Sequence, residues 1–191
     1  MIMAIGYHIT FGAYGFWLPN DPRGSWSDYI FAKRLLPFGD ATKVNTQHSR
    51  AHDPHDHRKR LEAKKHLQFS PVKLTGQQAL IVSQGFKQVV ADAKLQVFAC
   101  AIMPDHVHLV IGSHERTVEL LVNQLKSCAT KHLTAANQHP FQEKQSPWSR
   151  GFWQVYLDTP EEMNHAIHYV QQNPVRDGLR EQNWSFIVPY K

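Results

Sequence analysis

The sequence predicts an α+β fold, and the order of its apolar patterns leads to that prediction. Strand-like segments lie near the start of the chain, at 95–112 and at 149–158. Between them, residues 75–94 and 115–136 carry apolar side chains at helical spacing. The order strand, helix, strand, strand, helix, strand matches a ferredoxin-like (RRM-like) antiparallel sheet with helices on one face. A last helix follows as a C-terminal addition.

The first strand is predicted at residues 4–12, where apolar and polar side chains alternate. The stretch after it is rich in Gly, Pro, Asn, Asp and aromatic residues, which is typical of an ordered loop. We interpret about 20–70 as an insertion after this strand, with a short basic helix near 56–66. The chain, 1–191, is interpreted as a single domain that contains this insertion.

The middle of the chain predicts a helix followed by a hairpin. Apolar spacing over 75–94 indicates a helix, and Thr75 is a suitable N-cap. Residues 95–103 then form a second strand, and His106 to Gly112 form a third. Pro104 and Asp105 are expected to make the tight turn between them.

The C-terminal part predicts two further helices and a strand. The helix at 115–136 is followed by a loop and by a fourth strand, SRGFWQVYLD, at 149–158. Pro160 opens the last helix, with acidic residues beside it in the first turn. We expect this helix to end at Asn173, because the residue before a proline is pushed out of helical geometry.

Composition and charge narrow the kinds of partner. The net charge is +5 with histidine neutral, and the calculated isoelectric point is 9.2, which favours a polyanion such as nucleic acid. No apolar run approaches the roughly 18 residues that span a bilayer. The N-terminus lacks the features of a signal peptide, and Cys100 and Cys128 do not suggest a disulfide framework. We therefore expect a protein of the reducing cytoplasm without a membrane partner.

Two histidines stand out in the third strand. Side chains alternate along a strand, so His106 and His108 point to one face while Val107 and Leu109 point to the other. Two imidazoles at this spacing can converge on one cation. The alternative is a pair of surface histidines or of hydrogen-bonded core histidines, which an isolated His-x-His often is.

A second candidate lies in the last helix, in the stretch HYVQQNPVRDGL. Tyr169 and Asn173 are four residues apart and therefore share one helix face. The tyrosine supplies a phenolic oxygen, and the asparagine supplies a neutral carbonyl oxygen suited to Mg²⁺ or Mn²⁺. The alternative is a packed aromatic residue and an asparagine that only ends the helix.

Together these motifs resemble a known family. The run Met103 to His108, and Tyr169 followed by Asn173 to Arg176 and Gly178-Leu179, are similar to the single-tyrosine HUH transposases. The likeness is greatest to the branch associated with repetitive extragenic palindromes, which the segments 14–19 and 148–153 also resemble. The resemblance extends from about Tyr7 to Leu179, whereas residues 40–70 match nothing that we can place.

The resemblance implies a mechanism and a partner. His106, His108 and Asn173 would bind one Mg²⁺ or Mn²⁺, and Tyr169 would be the nucleophile. The implied activity is that of a metal-dependent endonuclease and strand transferase, which nicks single-stranded DNA near hairpins through a 5′-phosphotyrosine intermediate. Members act as monomers or homodimers, and the palindrome-associated branch favours the monomer. How the phenol of Tyr169, which ordinarily titrates near 10, loses its proton stays open.

Aromatic and basic residues suggest where DNA would bind, because bases stack on indole rings and cations contact the backbone. An alternative for most of the tryptophans is a place in the core or in a loop anchor. The candidates with these properties are Trp17, Trp26, Trp148 and Trp153, with Arg23, Arg34, Arg150, Arg176 and the basic run Arg58-Lys59-Arg60 with Lys64-Lys65.

Three alternatives remain at this point. A protein with the same fold could bind hairpin DNA without cutting it, although the retained site residues oppose this. A zinc site could use His48, His52, His55, Asp56 and His57, but their spacing fits no standard zinc motif. Tyr156 is the backup nucleophile, without an asparagine four residues on; Tyr7 and Tyr14 lack the Asn-Pro context.

Overall fold

The computed structural model describes residues 4–22, 29–30, 32–41, 53–142 and 145–191. Its centre is a four-stranded antiparallel sheet in the order β2-β3-β1-β4. The strands are β1 (Gly6–Gly12), β2 (Val97–Ile102), β3 (His106–Gly112) and β4 (Trp153–Leu157). This order, with the helical crossovers between β1 and β2 and between β3 and β4, confirms the predicted ferredoxin-like α+β fold.

Two long helices cover one face of the sheet. They are α2 (Gly76–Ala93) and α3 (Val118–Ala135), which pack closely on each other. Their apolar stripes bury against the side chains of β1 and β3 that point the same way. Members of this core with no more than 1% exposure include Ile9, Phe11, Val82, Phe86, Leu109, Leu121 and Leu125. Thr75 caps α2 by accepting from the Gln78 backbone N–H, as the sequence predicts.

The last helix, α4 (Pro160–Arg176), covers the opposite face. Met163, Ala166 and Val170 form its buried stripe and pack against Val110 and Leu157 of the sheet. The same face of the sheet also carries polar side chains of β1 and β3.

The predicted end of α4 at Asn173 is wrong. The helix continues through Pro174 to Arg176, and it ends where Gly178 adopts a left-handed φ of 73°. The N–H of Gly178 donates to the carbonyl of Val175, and the N–H of Leu179 donates to the carbonyl of Pro174. This Schellman arrangement satisfies the last carbonyls. The buried proline removes one helical hydrogen bond, which this packed last turn tolerates.

Two other predicted elements are shorter than expected. The helix predicted at 115–136 begins at Val118, because Thr117 is its N-cap. The strand predicted at 149–158 is regular only from Trp153, since Gly151 has a φ of 69° and interrupts extended pairing. Before it, the Ser149 N–H still donates to the carbonyl of Gly12.

The insertion has a small apolar cluster of its own in its described part. The predicted basic helix is present as α1 (His57–Lys65), and a 3₁₀ helix spans Lys33–Phe38. Leu18, Leu35 and Ala63 are buried together between these pieces and the end of the loop after β1.

The chain after α4 covers the edge strand β2. The side chain of Gln182 both donates to the carbonyl and accepts from the N–H of Ile102. Trp184 Nε1 donates to the carbonyl of Cys100, and the Val188 N–H donates to the carbonyl of Val97. These contacts satisfy edge groups that would otherwise be open to another strand.

The cysteines and the lengths of the apolar helices concern two further predictions from the sequence. Cys100 and Cys128 are free thiols. Within the described residues, no helix is both long and apolar enough to cross a membrane.

Candidate active site

The candidate site lies on the sheet face that α4 covers. Antiparallel pairing places Thr10 of β1 opposite His108 of β3, and Gly12 opposite His106. Because alternate residues share a face, His8 and Thr10 lie beside the two histidines of β3. The register therefore gathers three imidazoles and one hydroxyl from strands about 100 residues apart in the chain.

His108 is buried and held at one ring nitrogen. Its Nδ1 lies 2.9 Å from Thr10 Oγ1 and 3.2 Å from His8 Nε2. Burial lowers the pKa of His108 well below its ordinary value, and electrostatic repulsion between the clustered imidazoles acts in the same direction. Burial also lowers the pKa of His8 to about 4. Both rings are therefore neutral near pH 7, and His108 keeps Nε2 for an outside partner when Nδ1 carries its proton.

His106 is held in a comparable way by different groups. Its Nδ1 lies 2.8 Å from Asp105 Oδ1, and Phe16 stacks on the ring with centroids 4.8 Å apart. The ring of Phe16 fits there because Gly12 has no side chain, since a Cβ at Gly12 would lie 2.6 Å from Phe16 Cδ1. The geometry again leaves Nε2 as the nitrogen that can face a ligand.

Asp105 connects this histidine to a second cation. It pairs with Lys73 through Oδ2 while Oδ1 contacts His106. Burial acts to raise the pKa of Asp105, but the hydrogen bonds from His106 and Lys73 outweigh it and hold the pKa below its usual range. An ionised carboxylate that orients a histidine is a common feature around metal-binding histidines.

Tyr169 of α4 reaches the same place. Its ring centroid lies 5.6 Å from that of His108 and 5.7 Å from that of His8, both in edge-to-face contact. The ring is 37% exposed, so a ligand on the sheet face can still reach it. The ring of His106 lies 4.8 Å from the ring of His108. The phenol and the two predicted histidines of one chain therefore meet.

Asn173 and Arg176 extend this group along α4. Asn173 lies one turn beyond Tyr169, and its Nδ2 donates to the Tyr169 carbonyl at 3.0 Å, a bond that does not use Oδ1. The guanidinium of Arg176 lies 5.9 Å from the centroid of the Tyr169 ring.

The site residues carry nitrogen and oxygen atoms of the kinds that bind divalent cations. No group of three or more His, Cys, Asp or Glu side chains within the described ranges is arranged to hold a metal ion. His106 and His108 use Nδ1 in the contacts described above, and Asn173, one turn beyond Tyr169 on α4, carries an amide oxygen as a donor of another class. Two imidazole nitrogens with an amide oxygen fit Mn²⁺ or Mg²⁺, and water or phosphate oxygens would complete the shell.

The profile of a family described as IS200-like transposases matches residues 71–173, which is more than half of the chain and includes His106, His108, Tyr169 and Asn173. The chain belongs to the IS200-like transposase family. The resemblance seen in the sequence motifs is thereby confirmed.

Individual relatives are distant from this chain. A protein of Haemophilus influenzae that is provisionally named a REP-associated tyrosine transposase is 23% identical over 111 residues. The match covers 53% of this chain and 62% of that relative, which is less than two thirds of its length.

Two solved structures are also similar. A REP-associated tyrosine transposase bound to a REP hairpin has a TM-score of 0.49 and 12% identity, covering 94% of this chain and 73% of the other. A provisionally assigned transposase from Deinococcus radiodurans has a TM-score of 0.43 and 13% identity, covering 90% and 92%.

The candidate DNA-binding residues lie in different parts of the structure. Trp153 is half-buried beside the site, with its ring 5.6 Å from that of His8. Trp17 and Arg150 line a separate cleft. Arg23 and Trp26 lie outside the described residues.

The expectation that Trp148 takes part in base stacking is wrong. It is 4% exposed, and its Nε1 donates to the Lys126 carbonyl at 3.0 Å and to Thr130 Oγ1 at 3.1 Å. The indole also packs edge-to-face on Phe11. Trp148 therefore anchors the segment before β4 to α3, which is the alternative that the sequence left open.

The sequence offered two alternative sites, the phenol of Tyr156 and the histidine-rich segment. Tyr156 pairs with Tyr7 across β1 and β4, so it lies on the sheet face opposite to His8 and its neighbours. In the histidine-rich segment, Asp56 caps α1 through the Lys59 N–H. His48 and His52 lie outside the described residues.

His8 and Thr10 are the site residues that the sequence interpretation missed. A signal was present, because GYHITFG puts two polar residues on the same side of an otherwise apolar strand. Their partner is not local, however, so only the pairing of β1 with β3 reveals that both contact His108.

Proposed function

We propose that this transposase is a metal-dependent endonuclease and strand transferase for single-stranded DNA, which nicks near hairpins through a 5′-phosphotyrosine intermediate. The observation that carries the proposal is the position of Tyr169, whose ring lies 5.6 Å from that of His108 within one chain. A partly exposed phenol beside two oriented imidazoles provides a nucleophile next to a place for a cation.

The residues that would hold the cation are His106, His108 and Asn173. A Mg²⁺ or Mn²⁺ ion bound there would act as a Lewis acid on a phosphate oxygen and would help to orient the phosphodiester. All three donors are neutral, so the protein does not cancel the ion's charge, and this favours an anionic substrate. Asp105 and Thr10 would orient the two imidazoles, because they hydrogen-bond to Nδ1 of His106 and of His108.

Tyr169 would carry the covalent step. Its Oη attacks phosphorus, and the new O–P bond forms as the bond to the 3′ oxygen breaks. The phenol loses its proton, and the departing 3′ oxygen gains one to become a hydroxyl. Because the tyrosyl ester conserves the energy of the phosphodiester, a 3′-hydroxyl can reverse the attack and join strands without nucleotide hydrolysis.

The DNA would approach the solvent-exposed part of the Tyr169 ring. Arg176 places a guanidinium beside the phenol ring, where it can contact a phosphate. The half-buried indole of Trp153 borders the site and can stack on an unpaired base. We include hairpin DNA because the motifs resemble the palindrome-associated branch and the curated relative carries that name.

One chain would be sufficient for the reaction. Tyr169 contacts His8 and His108 of its own chain, so no exchange of helices with a second copy is needed to bring nucleophile and histidines together. We therefore propose a catalytically competent monomer.

The central experiment is detection of a covalent adduct. Labelled single-stranded DNA from hairpins flanking the gene is incubated with the protein and Mn²⁺, and adducts resistant to SDS are separated on gels. Tyr169→Phe should abolish the adduct, whereas Tyr156→Phe should retain it, because Tyr156 lies on the other face. An adduct that persists in Tyr169→Phe contradicts the proposal, and binding of the hairpins without any adduct supports a non-catalytic binding protein.

The metal requirement has its own control. Chelation should abolish the adduct, and Mn²⁺ should restore it. His106→Ala and His108→Ala should each lower Mn²⁺ binding and adduct formation, whereas His168→Ala, an exposed histidine next to the nucleophile, should change neither. Full activity in the presence of excess chelator would refute the metal assignment.

A further inference from the structure

A cleft outside the candidate active site carries a strong charge bias. Its volume is about 1060 Å³, and it lies between α3, the loop after β1, the 3₁₀ helix and the segment before β4. Four of its described lining residues are cations, Lys33, Arg34, Lys126 and Arg150, and none of its described lining residues is acidic. A concave surface with one sign of charge attracts a polyanion.

The cleft also offers groups that recognise nucleotides. The half-buried indole of Trp17 lines it, and the remaining described lining includes amide and hydroxyl side chains such as Asn123, Ser127 and Gln145. An indole face stacks on a base only when that base is not stacked within a duplex. The volume is near that of pockets for drug-sized ligands, about 300–1,000 Å³, which suits a few nucleotides of one strand rather than a helical turn.

The wall that carries Arg150 is held in place from within the protein. The ammonium group of Lys126 donates to the carbonyl of Ser149 at 3.0 Å and to that of Gly151 at 2.6 Å. These bonds bracket Arg150, so the loop presents it from a fixed backbone. Trp148 anchors the same segment to α3.

The cleft is joined to the candidate active site through a short aromatic path. Phe16 stacks on His106, and the ring of Trp17 follows with its centroid 5.6 Å from that of Phe16. On the other side, Ser149 hydrogen-bonds to the carbonyl of Gly12, the residue paired with His106. Trp17, which lines the cleft, is therefore separated from His106 by the single buried ring of Phe16, so a strand bound at His106 would lie close to the cleft.

We propose that this cleft binds the single-stranded DNA segment that flanks the scissile phosphate. Lys33, Arg34 and Arg150 contact its phosphates, and Trp17 stacks on one of its bases. The assignment rests on the proposed function for its substrate class, and it adds a binding surface that the nucleophile and the metal-binding residues do not include.

The test measures binding separately from chemistry. Fluorescence anisotropy with labelled oligothymidylate is performed on full-length Tyr169→Phe protein, in which the proposed cleavage cannot occur. The cleft variant is Lys33→Glu with Arg34→Glu, and the matched control is Lys87→Glu with Lys94→Glu, two exposed lysines of α2 and its C-cap. Both pairs change the net charge equally.

We expect the cleft variant to bind at least tenfold more weakly than the control at low salt. Removal of two phosphate contacts should reduce the slope of log affinity against log salt by about 1.4, from roughly 0.7 per contact on single strands. Trp17→Ala should weaken binding by about tenfold without changing that slope. Lys33→Gln with Arg34→Gln should give an intermediate affinity, and circular dichroism melting checks that each variant folds.

Two results would overturn the proposal: equal affinities of the cleft and control variants, or duplex DNA competing as well as the single strand. The adduct assay with otherwise wild-type protein separates this proposal from the proposed function. An adduct formed while Lys33→Glu with Arg34→Glu binds normally refutes only the cleft. Cleft-dependent binding with no adduct on any DNA refutes only the chemistry.

Discussion

Replacement of Thr10 by valine tests whether a hydrogen-bond partner of His108 Nδ1 affects the affinity of the site for a cation. Valine keeps the shape of threonine but removes the hydroxyl that lies 2.9 Å from His108 Nδ1. Thr10 is 8% exposed and His108 is 7% exposed, so water does not readily replace the lost partner. His8 Nε2, at 3.2 Å, is then the remaining contact at that nitrogen.

The size of the effect follows from the hydrogen bond that is lost. A buried hydrogen bond contributes about 0.5–1.5 kcal/mol net, and about 1.4 kcal/mol corresponds to a factor of ten in an equilibrium constant. Outer partners of metal-bound histidines typically change metal affinity by about 10–100-fold. Because His8 partly compensates, we expect the lower end, a rise of about tenfold in the Kd for Mn²⁺.

The assay is titration of Mn²⁺ into DNA-free protein, with free Mn²⁺ followed by electron paramagnetic resonance. Thr10→Ser is the matched variant, because it restores the hydroxyl and should bind Mn²⁺ within about twofold of the wild type, well below the tenfold loss expected for Thr10→Val. Thermal melting without metal checks that both variants are folded. If Thr10→Val and Thr10→Ser bind Mn²⁺ equally, the hydroxyl does not set the orientation of His108 and the reasoning fails.

Three further predictions follow from other parts of the structure. A mixture of Tyr169→Phe and His108→Ala proteins should form no adduct, because the tyrosine acts in its own chain; recovered adduct would indicate helix exchange. Gly85→Ala would place a Cβ 2.8 Å from the Ala129 backbone. The overpacking cost of about 1–3 kcal/mol exceeds the helix-propensity gain of about 1 kcal/mol, so the Tm should fall by several degrees. An unchanged Tm would contradict this close approach of the two helices. Burial lowers the pKa of Lys126 to about 8, whereas a lysine in the unfolded chain keeps its proton up to about 10.4. The contribution of Lys126 to the free energy of unfolding should therefore rise with pH between those two values. Denaturant titrations at several pH values should show the free energy of unfolding of the wild type increasing relative to that of Lys126→Met, and a constant difference would refute this prediction.

Local patterns in the sequence determined most of the secondary structure. The Thr75 cap, the hairpin around Pro104 and Asp105, and the helical spacing over 75–94 depend on neighbours within a few residues, so they can be predicted without the fold. The same holds for the shared face of His106 and His108, which follows from the two-residue period of a strand. Mistakes arose where two local signals competed: Pro174 suggested the end of α4, but the Schellman turn at Gly178 determined it.

The tertiary structure decided which groups meet. His8 and Thr10 contact His108 only because β1 pairs with β3 in one register, and a shift by one residue would turn both to the other face. Likewise, packing of α4 across the sheet brings Tyr169 to the histidines, and packing against α3 makes Trp148 an anchor rather than an exposed stacking surface. Such contacts join residues far apart in the chain, and they depend on side-chain burial over whole elements, so no short stretch of sequence contains them.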